Sequence, residues 1–271
     1  MNIKPYYKTN SCALYQSDNL ELMKQLPDNY IDLIYCDILY GTGKNFGDYQ
    51  DLKPNRKIIE DHYISRIIEM KRILKGYGSI CLQMDTKISH WIRCIADDIF
   101  GYNNFVNEII WFYPDTPGRS TGRFPSKHDS IYWYSKSIDF TFNADAVRIP
   151  ILPESKKRYE TARQFVKSDG TKYEYIGGES STKGKIPETV WQIASVKGNS
   201  KENTSYSTQK PKALLKRIIL ALSNPNNIVA DFYMGSGTCG EVSLENTRKF
   251  IGCDIGERAC KITQERLEKC A

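Results

Sequence analysis

Short apolar runs rich in β-branched and aromatic residues alternate with longer segments whose apolar residues recur every three or four positions. The first pattern predicts buried strands and the second predicts amphipathic helices. The predicted strands are Ala13–Gln16, Ile31–Cys36, Ser79–Met84, Glu108–Tyr113, Ser130–Tyr134, Ile228–Asp231 and Phe250–Cys253. The predicted helices are Leu20–Gln25, Arg56–Leu74, Ile88–Ile99, Lys212–Ser223, Thr238–Asn246 and Ala259–Lys269. This alternation predicts an α/β fold, with seven strands in one sheet and helices on both faces.

One stretch of the chain interrupts this alternation. Residues 144–200 are rich in lysine, dotted with glycine and poorly periodic, with Gly177-Gly178 and Ser180-Ser181 near their middle. We therefore predict an insertion outside the sheet at 144–200. The flanking parts, 1–143 and 201–271, would be two halves of a single sheet domain.

The positive charge of the chain is concentrated in this insertion. The formal net charge is +6, and residues 148–201 hold eleven basic and six acidic side chains, which accounts for +5. Basic residues interleaved with aromatic ones suit contacts with phosphates and with bases. The candidate nucleic-acid-binding residues are Lys156, Lys157, Arg158, Arg163, Lys167 and Lys172, interleaved with Tyr159, Phe165, Tyr173, Tyr175 and Trp191. Which of Arg158, Arg163 or Gln164 would contact a base edge stays open.

The composition excludes several classes of protein. Hydrophobic residues make up 40% of the 271 positions and charged residues 26%, as in ordinary globular chains. No apolar run approaches the roughly 20 residues that span a bilayer, and residues 1–8 lack the apolar core of a signal peptide, so we expect a soluble, cytoplasmic protein. The eight cysteines form no Cys-x-x-Cys pair, and no two of the three histidines have metal-ligand spacing. We expect reduced thiols and no structural metal.

A glycine-rich turn follows the predicted strand Ile228–Asp231. Gly235, Gly237 and Gly240 form a Gly-x-Gly-x-x-Gly pattern, and the next strand leads to Asp254, 19 residues after Gly235. Glycines let the backbone turn and approach a ligand, and an acidic side chain past the second strand accepts ribose hydroxyls. The pattern predicts a nucleotide pocket for either a dinucleotide or S-adenosylmethionine. A tight turn beside a surface aspartate is the alternative without a ligand.

An acidic corner follows the predicted strand Ile31–Cys36, at Asp37-Ile38-Leu39-Tyr40. Ligands of open α/β sheets bind at the carboxyl ends of the strands. The exocyclic amine of adenine or cytosine is a weak nucleophile, and a carboxylate with a backbone carbonyl that accept its N–H groups favours attack by its lone pair. Asp37 and the carbonyl of Ile38 supply those acceptors, and Tyr40 can stack on a flipped base. The alternative is an ordinary aspartate capping a turn, with Tyr40 in the core.

These stretches resemble the amino-methyltransferases of DNA, in the group whose catalytic tetrad comes first and whose cofactor glycines come last. The family tetrad Asp-Pro-Pro-Tyr is matched by Asp37 to Tyr40, and its turn Asp-Pro-Phe-x-Gly-Ser-Gly-Thr by Asp231 to Thr238. Ser207 to Pro211 resembles the family motif Pro-Thr-Gln-Lys-Pro. Phe250 to Asp254 is similar to the strand that carries the ribose-binding acid, and Ser17-Asp18 resembles a Gly-Asp pair near the cofactor adenine.

The resemblance implies a Rossmann-like, S-adenosylmethionine-dependent enzyme that methylates N6 of adenine in duplex DNA by base flipping. Adenine is preferred because aspartate leads the adenine tetrad more often in this family, and serine the cytosine-N4 one. Residues 1–143 would form the catalytic half, 144–200 the target-recognition insertion and 201–271 the cofactor half. The implied catalytic residues are Asp37, Ile38, Leu39 and Tyr40. The implied cofactor-binding residues are Asp18, Thr208, Lys210, Pro211, Asp231, Tyr233, Gly235, Ser236, Gly237, Thr238 and Asp254.

Further features and departures follow from the same resemblance. Residues 107–111 and 124–134 resemble the strand pair that borders the target-base pocket, and the group suggests a homodimer and a cognate restriction endonuclease as partners. The tetrad prolines are replaced by Ile38 and Leu39, and the proline after Asp231 is missing. Since proline fixes φ, the corner should be less rigid. The alternatives are therefore a catalytically impaired DNA-binding relative, an N4-cytosine enzyme, an RNA amino-methyltransferase and a nicotinamide dehydrogenase.

Overall fold

A computed structural model describes residues 3–47, 49–114, 121–151, 153–154, 163–175 and 183–270. All six predicted helices are present, with ends within about two residues of the expected ones. They are α1 (Asn19–Met23), α2 (Arg56–Ile73), α3 (Thr86–Phe100), α4 (Lys212–Leu222), α5 (Thr238–Glu245) and α6 (Glu257–Leu267). No helix among the described residues is long and apolar enough to cross a membrane.

The strands of the main unit form one mixed sheet. They are β1 (Tyr7–Lys8), β2 (Cys12–Gln16), β3 (Ile31–Asp37), β4 (Leu74–Met84), β5 (Phe105–Phe112), β6 (His128–Ser135), β9 (Val190–Gln192), β10 (Ile228–Asp231) and β11 (Lys249–Asp254). Their order is β1-β2-β11-β10-β3-β4-β6-β5-β9. The five strands from β2 to β4 in this order are parallel, and β6 is antiparallel to both of its neighbours. The fold class expected from the sequence is confirmed.

Two groups of helices cover this sheet on its two sides. Helices α1, α2 and α3 pack together, and α4, α5 and α6 pack together. The central strand β3 is buried over its first six residues, which explains its continuous apolar run. Because β2, β11, β10 and β3 are parallel neighbours, their carboxyl ends lie at one edge of the sheet, where the candidate site is found.

The edges of the sheet differ from the sequence prediction. Seven strands were expected, and the described main sheet has nine, because β1 and β9 contain only two and three residues. Such short strands leave no alternating pattern to recognise. Strand β9 lies within 144–200, where an insertion outside the sheet is predicted, and it pairs with β5. Trp191 is therefore a buried residue of the main sheet rather than an exposed aromatic of the insertion.

The chain divides into two compact units, one of residues 1–142 and 189–271 and the other of residues 143–188. The second unit thus ends before the predicted boundary at 200. Its antiparallel hairpin joins β7 (Arg163–Val166) to β8 (Lys172–Tyr175). The Phe165 and Tyr173 rings stack with their centroids 5.7 Å apart, and Lys167 lies 5.9 Å from the centre of the Tyr173 ring. Both rings are exposed on this hairpin.

Candidate active site

Four aspartates lie at the carboxyl ends of neighbouring parallel strands. Asp231, Asp37 and Asp254 end β10, β3 and β11, and Asp18 comes two residues after β2. All four line one cavity of about 520 Å³, together with Gly235 and Tyr40. The two sequence motifs, more than 190 residues apart, thus lie at one cavity.

The turn between β10 and α5 is shaped by glycines and by two carboxylates. Gly235 and Gly237 have φ values of +48° and +73°, and a Cβ on Gly237 would lie 2.6 Å from side-chain atoms of Thr263. Asp231 accepts a hydrogen bond from the Tyr233 amide at 3.0 Å, and Asp254 accepts one from the Gly235 amide at 2.9 Å. Burial raises the pKa of Asp231 well above its ordinary value. The turn is therefore held by backbone geometry that other residues would strain.

Residues of α2 form another wall of the cavity. Arg66 donates to the Asp18 carboxylate at 2.6 Å and to the Asn19 side-chain oxygen at 2.7 Å. His62 Nε2 lies 3.2 Å from the Tyr233 hydroxyl. Burial, with the nearby Arg66 charge, lowers the pKa of His62 to about 4, so the imidazole is neutral at pH 7. This wall thus carries one cation, already paired, and one uncharged imidazole.

The acidic corner holds Asp37 against a lysine and a tyrosine. Asp37 Oδ2 accepts a hydrogen bond from the Lys210 ammonium, and Asp37 Oδ1 lies 2.8 Å from the Tyr40 hydroxyl oxygen. The Asp37 side chain is 16% exposed. Burial raises the pKa of Asp37 above its ordinary value, while the Lys210 charge acts in the opposite direction. The carboxylate therefore faces the cavity with one oxygen covered by a cation.

Lys210 lies in the corner rather than beside the glycine turn. Its ammonium nitrogen is 3.1 Å from the Thr208 carbonyl oxygen and 5.2 Å from the centre of the Tyr40 ring. The resemblance implied a cofactor contact for Lys210. In the structure its charged end donates to the carboxylate and lies over the aromatic ring, which are the two groups expected to receive the target amine and base.

Hydrogen bonds hold the corner in place of the two missing prolines. The Ile38 amide donates to the Gln83 carbonyl oxygen at 3.0 Å, a bond that proline could not make. The Tyr63 hydroxyl donates to the Leu39 carbonyl oxygen at 3.2 Å. The buried Asp51 carboxylate accepts from the amides of Gly41, at 3.1 Å, and Thr42, at 2.7 Å, and from the Thr42 hydroxyl. The corner is thus anchored on both sides of Leu39.

Most of the predicted site residues share the cavity, and two do not line it. Its described lining includes Asp37, Ile38, Leu39, Tyr40, Asp18, Thr208, Lys210, Asp231, Tyr233, Gly235, Ser236, Thr238 and Asp254. Pro211 caps α4, and Gly237 supplies the left-handed residue before α5. Their positions give them a part in forming the site and not in its surface.

Sequence reasoning missed several residues of the site. Asp51, Gln83, Asp129, His62, Arg66 and Tyr206 have no place in a short motif. The described structure places each of them in or against the cavity through long-range contacts. The buried polar letters Gln83 and Asp129, within apolar strand runs, are the only sequence signal that could have drawn attention to them.

The candidate DNA-binding residues are only partly described. Lys156, Lys157 and Arg158 lie outside the described residues, and of Arg163 only the backbone, at the start of β7, is described. Lys167 begins the hairpin turn, where its amide donates to the Thr171 carbonyl oxygen at 2.9 Å. Lys172 begins β8. Both lysines are exposed on the hairpin that carries Phe165 and Tyr173.

A sheet covered on both sides, with a glycine turn, a ribose-type acid and a second carboxylate in one cavity, defines a Rossmann-like methyltransferase. A family model described as DNA methylase, of the N6/N4 type, matches residues 31–265. The chain belongs to this family of DNA methylases and is an S-adenosylmethionine-dependent DNA methyltransferase. The family thus decides between the two ligands that the glycine pattern left open.

Individual relatives agree with this assignment. The type II methyltransferase M.HpaI of Haemophilus parainfluenzae is 32% identical over 254 residues, which cover 93% of this chain and 73% of that protein. The DNA adenine methyltransferase YhdJ of Escherichia coli strain K12 is 32% identical over 258 residues, covering 94% and 82%. In fold, the chain is similar to the cytosine-N4-specific PvuII DNA methyltransferase, with a TM-score of 0.70, 18% identity and coverage of 99% and 94%.

The residues present fit the cofactor. The cavity volume falls within the roughly 300–1,000 Å³ of small-molecule sites. Phe232, Met234 and Ile255 give it apolar walls beside the Asp254 carboxylate, which suit an adenine ring and ribose hydroxyls. A Cβ on Gly235 would lie 3.2 Å from the Tyr206 ring, so glycine keeps this part of the cavity open. S-adenosylmethionine supplies an electrophilic methyl group when bound.

Proposed function

We propose that this protein methylates N6 of adenine within a specific sequence of duplex DNA, after the base has been flipped out of the helix. The observation that supports this most is the Asp37 carboxylate in the same cavity as the glycine turn. A carboxylate at this place is a hydrogen-bond acceptor for an exocyclic amine, and the ring of Tyr40 beside it is a stacking surface for a base.

The residues of the chain perform three tasks in this proposal. Asp37 and the Ile38 carbonyl accept the N–H bonds of the amine, which directs the nitrogen lone pair toward the cofactor methyl group. Tyr40 stacks on the base and fixes its plane. Lys210 leaves Asp37 Oδ2 when the amine arrives, because one carboxylate oxygen cannot hold both donors in the same direction.

The choice of adenine rests on the corner and on a relative. A leading aspartate is the feature by which the sequence resembles adenine enzymes. The E. coli relative at 32% identity is named a DNA adenine methyltransferase. The cytosine-N4-specific neighbour is similar only in fold, at 18% identity. N4-cytosine methylation is therefore the outcome that would replace this part of the proposal.

The unit of residues 143–188 is proposed to recognise the DNA. Its hairpin presents exposed Phe165 and Tyr173 with Lys167 and Lys172, a combination suited to phosphate and base contacts. Neutralising phosphates makes binding fall steeply with salt, and replacing one phosphate-binding lysine should reduce the slope by about one. The double variant Lys167→Ala/Lys172→Ala tests this in a salt titration of DNA binding.

Expression in a host free of DNA methylation tests the reaction itself. The host DNA is sequenced with a method that reports modified bases, for the wild type, for Asp37→Asn and for Asp61→Asn. Asp61 is an exposed aspartate on α2, paired with Lys57, and serves as the matched control. We expect N6-methyladenine at one motif with the wild type and the control, and a loss of at least about 1,000-fold in rate for Asp37→Asn.

Each other result has a defined meaning. N4-methylcytosine at a motif would correct the target base. Unmodified DNA in all three strains, together with retained DNA binding, would identify a catalytically impaired relative. Tritium transfer to RNA but not to duplex DNA in vitro would overturn the choice of substrate.

A further inference from the structure

Asp129 is a buried aspartate that lies behind the catalytic corner and belongs to none of the sequence motifs. It is the second residue of β6, and only 2% of it is exposed. Its Oδ2 lies 2.6 Å from the Tyr40 hydroxyl oxygen and accepts a hydrogen bond from Gln83 Nε2 at 2.9 Å. Its Oδ1 accepts one from the Tyr113 hydroxyl at 2.9 Å. Two strands besides its own thus supply groups that hold it.

The Tyr40 hydroxyl lies between two carboxyl groups. Its oxygen is 2.8 Å from Asp37 Oδ1 and 2.6 Å from Asp129 Oδ2, and both are hydrogen-bond distances. A phenol has one hydrogen and can donate to only one of them. The other short contact requires a hydrogen on the carboxyl group, donated to the phenol oxygen. The geometry therefore places one additional proton within the unit of Asp37, Tyr40 and Asp129.

The charges around this unit agree with that count. Two ionised carboxylates and the Lys210 ammonium would leave one uncompensated negative charge in a buried place, and one proton removes it. Two carboxyl groups that share a site favour a single shared proton. The nearby Asp129 charge also contributes to the raised pKa of Asp37. The other titratable side chains that face the unit are Tyr35, Tyr113 and Asp231, from β3, the end of β5 and β10.

We propose that Asp129 and Asp37 form one proton-holding pair through the Tyr40 hydroxyl, and that this pair takes the proton lost by the target amine. The inference rests on the proposed function. Methyl transfer leaves the amine nitrogen with one hydrogen more than the product contains. One N–H bond then breaks, its electron pair returns to nitrogen, and the proton passes to Asp37. The pair holds one proton before this step and two after it, and the second is later released to water.

Infrared spectroscopy of the protein without DNA or cofactor tests the shared proton directly. The wild type should show one more protonated-carboxyl band than Asp129→Asn. It should also show one more than Asp37→Asn, because the proton belongs to the pair and disappears with either partner. Asp231 remains in every variant, so a band from its buried carboxyl group cancels in the difference spectra.

The matched control is Asp32→Asn. Asp32 is another buried aspartate, at the opposite end of β3, with hydrogen bonds from Lys75 and Tyr77. Its replacement should destabilise the fold without removing the band. A band that survives in either pair variant, or an equal loss in the control, would overturn the shared proton. If Asp129→Asn does not fold, Asp37→Asn still decides.

The pH dependence of methyl transfer tests the catalytic part. A coupled pair titrates in two macroscopic steps, so the acid limb of kcat for the wild type should show two ionisations. Asp129→Asn should show one, with kcat lower by about 30-fold, within the range for general acid–base groups and their partners. An unchanged profile and rate would refute Asp129 as a partner of Asp37. Should the wild type transfer no methyl group, the proposed function fails, whereas the infrared result still stands or falls separately.

Discussion

Two loops meet at the candidate site, and they are held in different ways. The turn after β10 is shaped by glycines with positive φ and by the close packing of Gly237 on Thr263. The corner after β3 has ordinary side chains and is held by hydrogen bonds from Asp51, Tyr63 and Gln83. A loop can therefore be fixed by removing conformations or by adding bonds, and this chain does one at each strand end.

The difference explains how the tetrad can lose its prolines. Proline restricts φ in the chain itself, whereas the Asp51 carboxylate holds the Gly41-Thr42 backbone from outside. Hydrogen bonds to a charged group contribute roughly 1.5–3 kcal/mol each, comparable with such a backbone restriction. The corner was expected to be less rigid from its sequence, and the described contacts compensate for that loss.

The largest effect should come from a side chain added to the glycine turn. In Gly237→Ala the new Cβ would lie 2.6 Å from Thr263, with φ at +73°, and we expect a loss of about 3 kcal/mol in the free energy of unfolding. Denaturant unfolding and cofactor titration measure the effect. Gly76→Ala is the control, since a Cβ there meets no atom within 4 Å. Equal stability of the two variants would show that the turn is not fixed by glycine geometry.

The comparison also shows what a sequence can reveal about such a site. The glycine turn was predicted in detail because its geometry restricts the residues at consecutive positions. The corner was located through Asp37 and Tyr40, but its supports were not, since Asp51, Gln83 and Asp129 reach it only through the fold. The strands and helices followed from their periodicity. The two short edge strands escaped because pairing with a neighbour defines them, and pairing leaves no local pattern.

The second prediction removes an external support of the corner. Asp51→Asn replaces one carboxylate oxygen by an NH₂ group, which faces backbone donors and cannot accept from them. We expect about 2 kcal/mol less stability of the corner and, from that, kcat lower by about 30-fold. Single-turnover methylation and cofactor affinity are compared, with Asp61→Asn as control. If cofactor affinity falls as much as kcat, Asp51 supports the whole cavity rather than the corner.

The third prediction exchanges one way of holding the corner for the other. Ile38→Pro restores a family proline but removes the amide that donates to the Gln83 carbonyl oxygen. Since Ile38 is also buried, we expect a net loss of about 1 kcal/mol in unfolding free energy and no gain in kcat. Leu39→Pro serves as the comparison, because no bond from the Leu39 amide appears among the described contacts. A faster enzyme with Ile38→Pro would mean that φ restriction, and not hydrogen bonding, limits the corner.

Helix α2 connects the two loops through consecutive residues. His62 lies 3.2 Å from the Tyr233 hydroxyl of the glycine turn, and Tyr63 donates to Leu39 of the corner. Because the pKa of His62 is lowered to about 4 in the folded protein, the folded state resists protonation more than the unfolded chain. The contribution to stability is complete above about pH 6.5, the ordinary value for histidine, and is lost as the pH falls toward 4.

The smallest effect should therefore appear as a pH-dependent loss of stability. Between pH 6.5 and 4 the wild type should lose on the order of 1 kcal/mol of unfolding free energy through His62, a figure reduced for its partial exposure. His62→Gln keeps a polar side chain without this ionisation, so its stability should change less over the same range. His90→Gln, at an exposed position of α3, is the control and should follow the wild type. Parallel curves for the wild type and His62→Gln would remove His62 from the link between the loops and leave Tyr63 as the contact from α2 that holds the corner.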